Sequence, residues 1–253
     1  DGGQLHIIDR IRERVQLASG LGPDGNLSEE SQTRALACLA QFAQRIAGMP
    51  ANRVRVVATN TLRVARNGRR FLQRTVEALG YRVEIISGRE EARLVYLGVA
   101  QTMPADDKKR LVVDIGGGST EFIIGDGFEI LEADSLFMGC VSFSQRFFSG
   151  GFTAKGFREA ELAAALELQS MARNYRAVGW DYAVGCSGTV HAVDDIVRAN
   201  GWSDSGITAR GLKKLRKAIL AAGTVEALNI PGLQAERKPV IAGGVAILEA
   251  LFR

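Results

Sequence analysis

Arg110-Leu-Val-Val-Asp-Ile-Gly-Gly-Gly-Ser-Thr-Glu-Phe-Ile-Ile-Gly125 is the stretch on which the fold turns. Residues 110–115 form a short apolar run, the pattern of a buried strand. Three glycines and a serine follow, and residues 120–125 return to β-type residues. A dinucleotide fingerprint or a Walker loop would open a helix at this point. A second strand instead predicts a β-hairpin. Glycine lets such a loop turn tightly and lets its amides approach phosphate oxygens, which marks Gly116, Gly117, Gly118 and Ser119 as candidate phosphate ligands. Asp114 stands at the mouth of the first strand and Glu121 starts the second. Two hard oxygen ligands beside a phosphate loop suit Mg²⁺, which takes much of its coordination from phosphate and water. The plainer alternative is a glycine-rich hairpin carrying two exposed acids.

Working outward, Gly125-Asp-Gly127 is a turn and 128–134 a third strand. Helices are predicted over 139–148 and 154–176, a strand over 180–185 and a helix over 187–200. Next comes a basic helix over 208–222 with Arg210, Lys213, Lys214, Arg216 and Lys217 on its polar side. A strand over 238–242 and a helix over 245–252 close the chain. Three consecutive strands followed by alternation describe a mixed sheet covered by helices. The first half reads as strands over 4–9 and 12–18, a helix from Ser28 to about Gly48, and a strand over 53–58. A helical stretch over 62–79 broken at Asn67-Gly68, a strand over 81–86 and a helix over 88–101 follow. This is the same order with its opening strand and glycine turn missing. The expected division is an N-terminal lobe over 1–103 and a C-terminal lobe over 104–253.

The 253 residues are 46% hydrophobic and 24% charged, an ordinary globular composition. No apolar run approaches the ~18 residues of a membrane helix, so no integral membrane segment is expected. No basic-then-apolar leader opens the sequence, whose first residue, Asp1, is not Met. Cys38, Cys140 and Cys186 are three widely spaced thiols without a C-x-x-C pair, against both a disulfide framework and a zinc site. The expected location is cytoplasmic, with a membrane-peripheral one as the variant. With only His6 and His191, a histidine-rich metal site is excluded. Residues 53–93 hold ten arginines against four glutamates. Arginine's planar fork suits phosphate oxygens, so a polyanionic ligand is a first guess. A solvated surface accounts for most of these side chains equally well. Only Phe71 and Tyr81 are aromatic there, so nucleic acid is not an expected partner.

Three further constellations stand out. In Ser87-Gly-Arg-Glu-Glu-Ala-Arg-Leu94, Ser87 and Glu90 form a capping box, which leaves Glu91 unassigned in the first helical turn. A carboxylate where two lobes join can serve water as a general base, or simply favour a helix N-terminus. Arg93 can meet phosphate or a carboxylate. Gly185-Cys-Ser-Gly-Thr189 resembles a nucleophile elbow, but His191 is too close in sequence to complete a triad. It reads instead as a second backbone loop, with Gly188 facing a ligand. Ile241-Ala-Gly-Gly-Val245 serves either close helix packing or ligand contact.

Taken in order, Ala58-Thr-Asn-Thr-Leu-Arg63, Ile86-Ser-Gly-Arg-Glu-Glu-Ala-Arg-Leu94, Val113-Asp-Ile-Gly-Gly-Gly-Ser-Thr-Glu121, Met138-Gly-Cys-Val-Ser-Phe143 and Gly185-Cys-Ser-Gly-Thr189 closely resemble the exopolyphosphatase and guanosine pentaphosphate phosphohydrolase family. The resemblance implies an α/β fold of two ribonuclease H-like lobes with mixed sheets flanked by helices, the architecture shared by actin, hexokinase and the heat-shock ATPases. It implies removal of the terminal phosphate of inorganic polyphosphate, or of the 5′-γ-phosphate of guanosine pentaphosphate (pppGpp), with Mg²⁺ as cofactor. By the same resemblance Glu91 is the catalytic base, Asp114 and Glu121 are associated with the metal, and Arg63 faces phosphate. A homodimer is implied too. The Met138–Phe143 motif looks more like the polyphosphatase branch.

The family opens with a strand and an Asp-Leu-Gly-Ser-Asn-Ser-type loop, and nothing here matches it. The C-terminal helical domains of longer members have no counterpart either. Half of the phosphate cradle is therefore expected to lie outside these residues, which leaves open whether this polypeptide is active alone. The leading expectation is an exopolyphosphatase. Its rivals are a pppGpp 5′-phosphohydrolase and a non-catalytic sensor of polyphosphate or alarmone.

Overall fold

The computed structural model describes residues 9–13, 15–104 and 106–253. The chain divides into two compact units, Asp1–Glu91 and Ala92–Arg253. The division falls inside a helix, whereas the sequence reading put the joint at 103–104.

In the first unit, helix α1 (Glu29–Ile46) starts where the Ser28 hydroxyl accepts the Ser31 N–H at 3.3 Å, with Glu29 and Glu30 in its first turn. Strand β1 (Val56–Ala58), helices α2 (Asn60–Val64) and α3 (Gly68–Leu79), and strand β2 (Val83–Ile85) follow. The strands pair in parallel, Val56 opposite Val83, with the two helices as the crossover. The expected break at Asn67-Gly68 is real and has a cause. The Asn67 amide clamps the Leu27 backbone, accepting its N–H and donating to its carbonyl, both at 2.9 Å. Helix α3 ends at Gly80, whose φ of 78° suits glycine. Leu27, Ala35, Leu62, Ala65 and Phe71 form the core of this unit.

Helix α4 (Gly88–Thr102) leads into the second unit. Strands β3 (Lys109–Ile115), β4 (Thr120–Asp126) and β5 (Glu129–Leu136) form two successive hairpins. Helices α5 (Cys140–Phe148) and α6 (Ala154–Val178) follow, then β6 (Tyr182–Gly185), α7 (Gly188–Ala199), α8 (Ala209–Ala222) and α9 (Ile241–Leu251). The sheet order is β5-β4-β3-β6, with β6 parallel to β3 and the other pairs antiparallel. This is the mixed sheet flanked by helices that the strand order implied. Thr153, Ser187 and Thr208 cap α6, α7 and α8, each hydroxyl accepting an N–H three residues on. No helix among the described residues is long and apolar enough to cross a membrane.

Residues 238–242 are not a strand: a 3₁₀ turn (Ala235–Val240) runs directly into α9. Every residue of α9 from Ile241 to Ala250 is buried, so its apolar run has no helical period to read. Arg216 does not lie on the solvent side of α8. It turns inward to the buried Glu161 and to Glu249, 3.2 Å away, and stacks on Phe157 with its Cζ 4.9 Å from the ring centre. The described part of 12–18 holds no strand, and Leu17–Gly20 is a 3₁₀ turn. Its Val and Leu side chains pack beside the first unit's core instead. The strand expected over 4–9 lies outside the described residues, except for Asp9, which is not in a strand.

Candidate active site

Each unit carries one group of the expected residues. In the first unit they gather at the C-terminal ends of β1 and β2, the usual ligand-bearing end of parallel strands. Ile86 N–H donates to the Ala58 carbonyl at 3.0 Å and carries the pairing one residue further. Arg63 on α2 reaches across with one nitrogen, Nη1, donating to the Ile86 carbonyl at 2.8 Å and to Glu91 Oε2 at 2.9 Å. Both side chains of the ion pair are largely buried, 19% and 16% exposed. The Nε and Nη2 hydrogens of Arg63 donate to nothing among the described residues.

Glu90 and Glu91 are adjacent in sequence and differ in surroundings. The Ser87 hydroxyl accepts the Glu90 N–H at 3.2 Å, one arm of the expected capping box. The Glu90 carboxylate lies 3.4 Å from Arg55, which also reaches the exposed Glu84. Glu91 points to the Arg63 side, where the guanidinium orients its carboxylate. Arg63 was expected to face phosphate; it is held on Glu91, with three N–H donors to spare. Arg93 lies in the second unit, on the exposed side of α4.

In the second unit four glycine-bearing motifs converge. Gly116 N–H donates to the Ser119 carbonyl at 2.9 Å, closing the loop between β3 and β4 into a tight turn. The first amides of α5 would otherwise be orphaned. Those of Cys140, Val141 and Ser142 donate instead to the carbonyls of Gly116 and Gly117 at 2.9–3.1 Å. In a trans peptide the N–H points opposite to the C=O. Drawing these two carbonyls onto α5 therefore turns the Gly117 and Gly118 N–H groups the other way. Neither donates to any acceptor among the described residues. A Cβ at Gly139 would overlap the Gly117 carbonyl, so glycine is needed where helix and loop touch.

The carboxylates sit beside this loop. Asp114 and Glu121 are register partners across β3 and β4, so their side chains share a face. Glu121 is 2% exposed and accepts the Ser135 hydroxyl at 2.8 Å. Cys186, which follows β6, donates its N–H to the Val113 carbonyl at 3.1 Å. Burial first, then the nearby Asp114 and Glu121 carboxylates, push its thiol up to about 12. The hard oxygen donors here are the two register-paired carboxylates. That set fits Mg²⁺, which needs few protein ligands when phosphate and water complete its shell.

Ser187 is 7% exposed and its hydroxyl caps α7, which removes it as a nucleophile. Gly188 opens that helix, and a Cβ there would run into the guanidinium of Arg237. Sequence reading missed Arg237; its signal was an arginine four residues before the glycine-bearing start of α9. The glycines of Ile241–Val245 serve packing. A Cβ at Gly243 would come 2.5 Å from the Cys140 carbonyl and 2.7 Å from Ser144 Oγ, and one at Gly244 would strike Thr189.

The sequence profile of the Ppx/GppA phosphatase family matches residues 1–253. Among solved structures, an exopolyphosphatase-like protein is similar at 26% identity and a TM-score of 0.84, over 98% of this chain and 81% of that one. A Ppx-GppA enzyme from Aquifex aeolicus is similar at 26% identity and 0.74, over 99% and 84%. An exopolyphosphatase from Cytophaga hutchinsonii is similar at 25% identity and 0.77, over 92% and 79%.

Proposed function

The chain belongs to the Ppx/GppA phosphatase family, and from that premise we propose that it is an exopolyphosphatase, a metal-dependent hydrolase that removes the terminal phosphate of inorganic polyphosphate. The observation that carries the reading is the pair of outward amides, Gly117 and Gly118, beside the register-paired Asp114 and Glu121. Amides without protein acceptors suit phosphate oxygens, and paired carboxylates suit a hard cation.

Water attacks the terminal phosphorus, the P–O–P bridge breaks, and the bridging oxygen leaves with the shortened chain. Glu91 accepts the proton of the attacking water, and Arg63 holds the Glu91 carboxylate in position for it. The spare Arg63 donors of the first unit, and the loop amides of the second, are each suited to phosphate oxygens whose charge shifts in the transition state. Mg²⁺ held by Asp114 and Glu121 would supply charge neutralisation of the phosphate. Arg93, Ser119 and Gly188 complete the proposed phosphate ligands. A cytoplasmic homodimer belongs to the same proposal.

The same residues would serve the 5′-terminal phosphate of pppGpp. Phosphate release from long-chain polyphosphate and from pppGpp, each at saturating Mg²⁺, tests the reading. Faster release from polyphosphate is expected. Preference for pppGpp moves the assignment to a pppGpp 5′-phosphohydrolase. Binding of either without hydrolysis replaces the enzyme by a sensor.

A further inference from the structure

We propose that Asn60 is a substrate-binding residue, its side-chain amide donating to an oxygen of the terminal phosphate beside the spare donors of Arg63. The inference rests on the function proposed above and adds a ligand to it. Asn60 is 8% exposed, and its Nδ2 is buried with no hydrogen-bond partner. Its Oδ1 accepts no hydrogen bond from the described residues either. Buried polar groups in native proteins are nearly always paired, so an orphan calls for a reason.

Its place supplies one. Asn60 opens α2 directly after β1, three residues before Arg63, and side chains at that spacing share a helix face. Arg63 commits Nη1 to Ile86 and Glu91 and keeps three donors. Asn60 therefore stands as an uncharged donor next to a cationic one, beside the carboxylate assigned to the water. Glu91 Oε2 is already bonded to Arg63, whereas a terminal phosphate brings several acceptor oxygens at once. An amide is suited to a shielded anion because it donates without adding charge.

The test uses the full chain and inorganic tripolyphosphate with Mg²⁺, reading binding by calorimetry, phosphate release and melting temperature. Asn60→Ala should weaken tripolyphosphate binding about 10- to 100-fold, the range for a hydrogen bond to a charged group. Its melting temperature should hold or rise, since the substitution removes an unsatisfied donor. Asn60→Asp, which offers acceptors and a negative charge, should lose more, and Asn60→Ser should recover part of the binding. Unchanged affinity in the Ala and Asp variants overturns the proposal. So does a fall in melting temperature with affinity intact, which marks a structural amide paired with a buried water. Hydrolysis by the wild-type chain is read separately: its failure removes the proposed function, while the binding comparison still decides the role of Asn60.

Discussion

Replacing Asp114 by Asn tests the metal assignment through folding, independently of turnover. Asp114 and Glu121 face each other across β3 and β4, where opposite Cβ atoms are about 4.5–5.5 Å apart. Two unit charges at about 5.5 Å repel by about 3 kcal/mol at an effective dielectric constant of 20. Directly opposed like charges in sheets cost less in practice, about 0.2–1 kcal/mol, because solvent and relaxation screen them. Asp114 is only partly buried, so we take about 1 kcal/mol as the burden of the metal-free pair. In EDTA, Asp114→Asn should therefore raise the melting temperature of the second unit by about 2–4 °C. Mg²⁺ at ten times its dissociation constant stabilises the wild type by about 1.4 kcal/mol, a further rise of about 3–5 °C. In the variant that Mg²⁺ increment should vanish. Differential scanning calorimetry in EDTA and in MgCl₂ reads both effects. A variant that melts lower in EDTA and keeps the full Mg²⁺ increment would refute the reasoning, because the pair would then be neither strained nor a metal site.

Glu91→Gln keeps the size of the side chain and an acceptor for Arg63 but cannot take a proton, so phosphate release should fall about 10²- to 10⁴-fold with tripolyphosphate affinity retained; near-normal turnover would remove Glu91 as the base. Gly139→Ala places a Cβ into the Gly117 carbonyl, so the loop must move; phosphate release should drop at least about tenfold and the melting temperature by several degrees, as kinetics and calorimetry on one preparation will show. Burial, opposed by Arg216 and reinforced by Glu161, raises Glu249 from the ordinary 4.5 to about 7. The folded chain then holds a proton that the unfolded chain releases between those values, so stability is highest below about pH 4.5, falls as pH rises to about 7, and is level above. Glu249→Gln should match the wild type near pH 4 and melt about 7–14 °C higher at pH 8, and a difference that does not change with pH would show that Glu249 does not titrate there.

Features set by local physics were readable along the chain. Ser28, Thr153, Ser187 and Thr208 cap helices because a hydroxyl at that position satisfies an orphan amide. The glycine hairpin was readable because strands on both sides of Gly116–Ser119 leave a loop no other role. Glu90 and Glu91 were separable because Ser87 marks where α4 begins. Features that depend on distant neighbours were not readable. Continuous apolar residues over 240–248 suit a strand or a fully buried helix equally, and α9 is the second because α5, α6 and α8 surround it. Arg216 follows the polar rhythm of α8, yet Glu161 and Glu249 draw it inward from 55 and 33 residues away.

By itself the sequence determined most of the helices, the hairpin run of β3 to β5 and the mixed character of the second sheet, since each depends on period, caps and glycine within a few residues. Tertiary structure alone decided which groups meet. It bound Arg63 to Glu91 across 28 residues, paired Asp114 with Glu121 through strand register, and laid Arg237 on Gly188. It also left the Asn60 amide nitrogen buried without a partner among the described residues. The physical reason is that hydrogen bonds and charge pairs act over a few ångströms, and only the packed chain brings residues that are far apart in sequence within that distance.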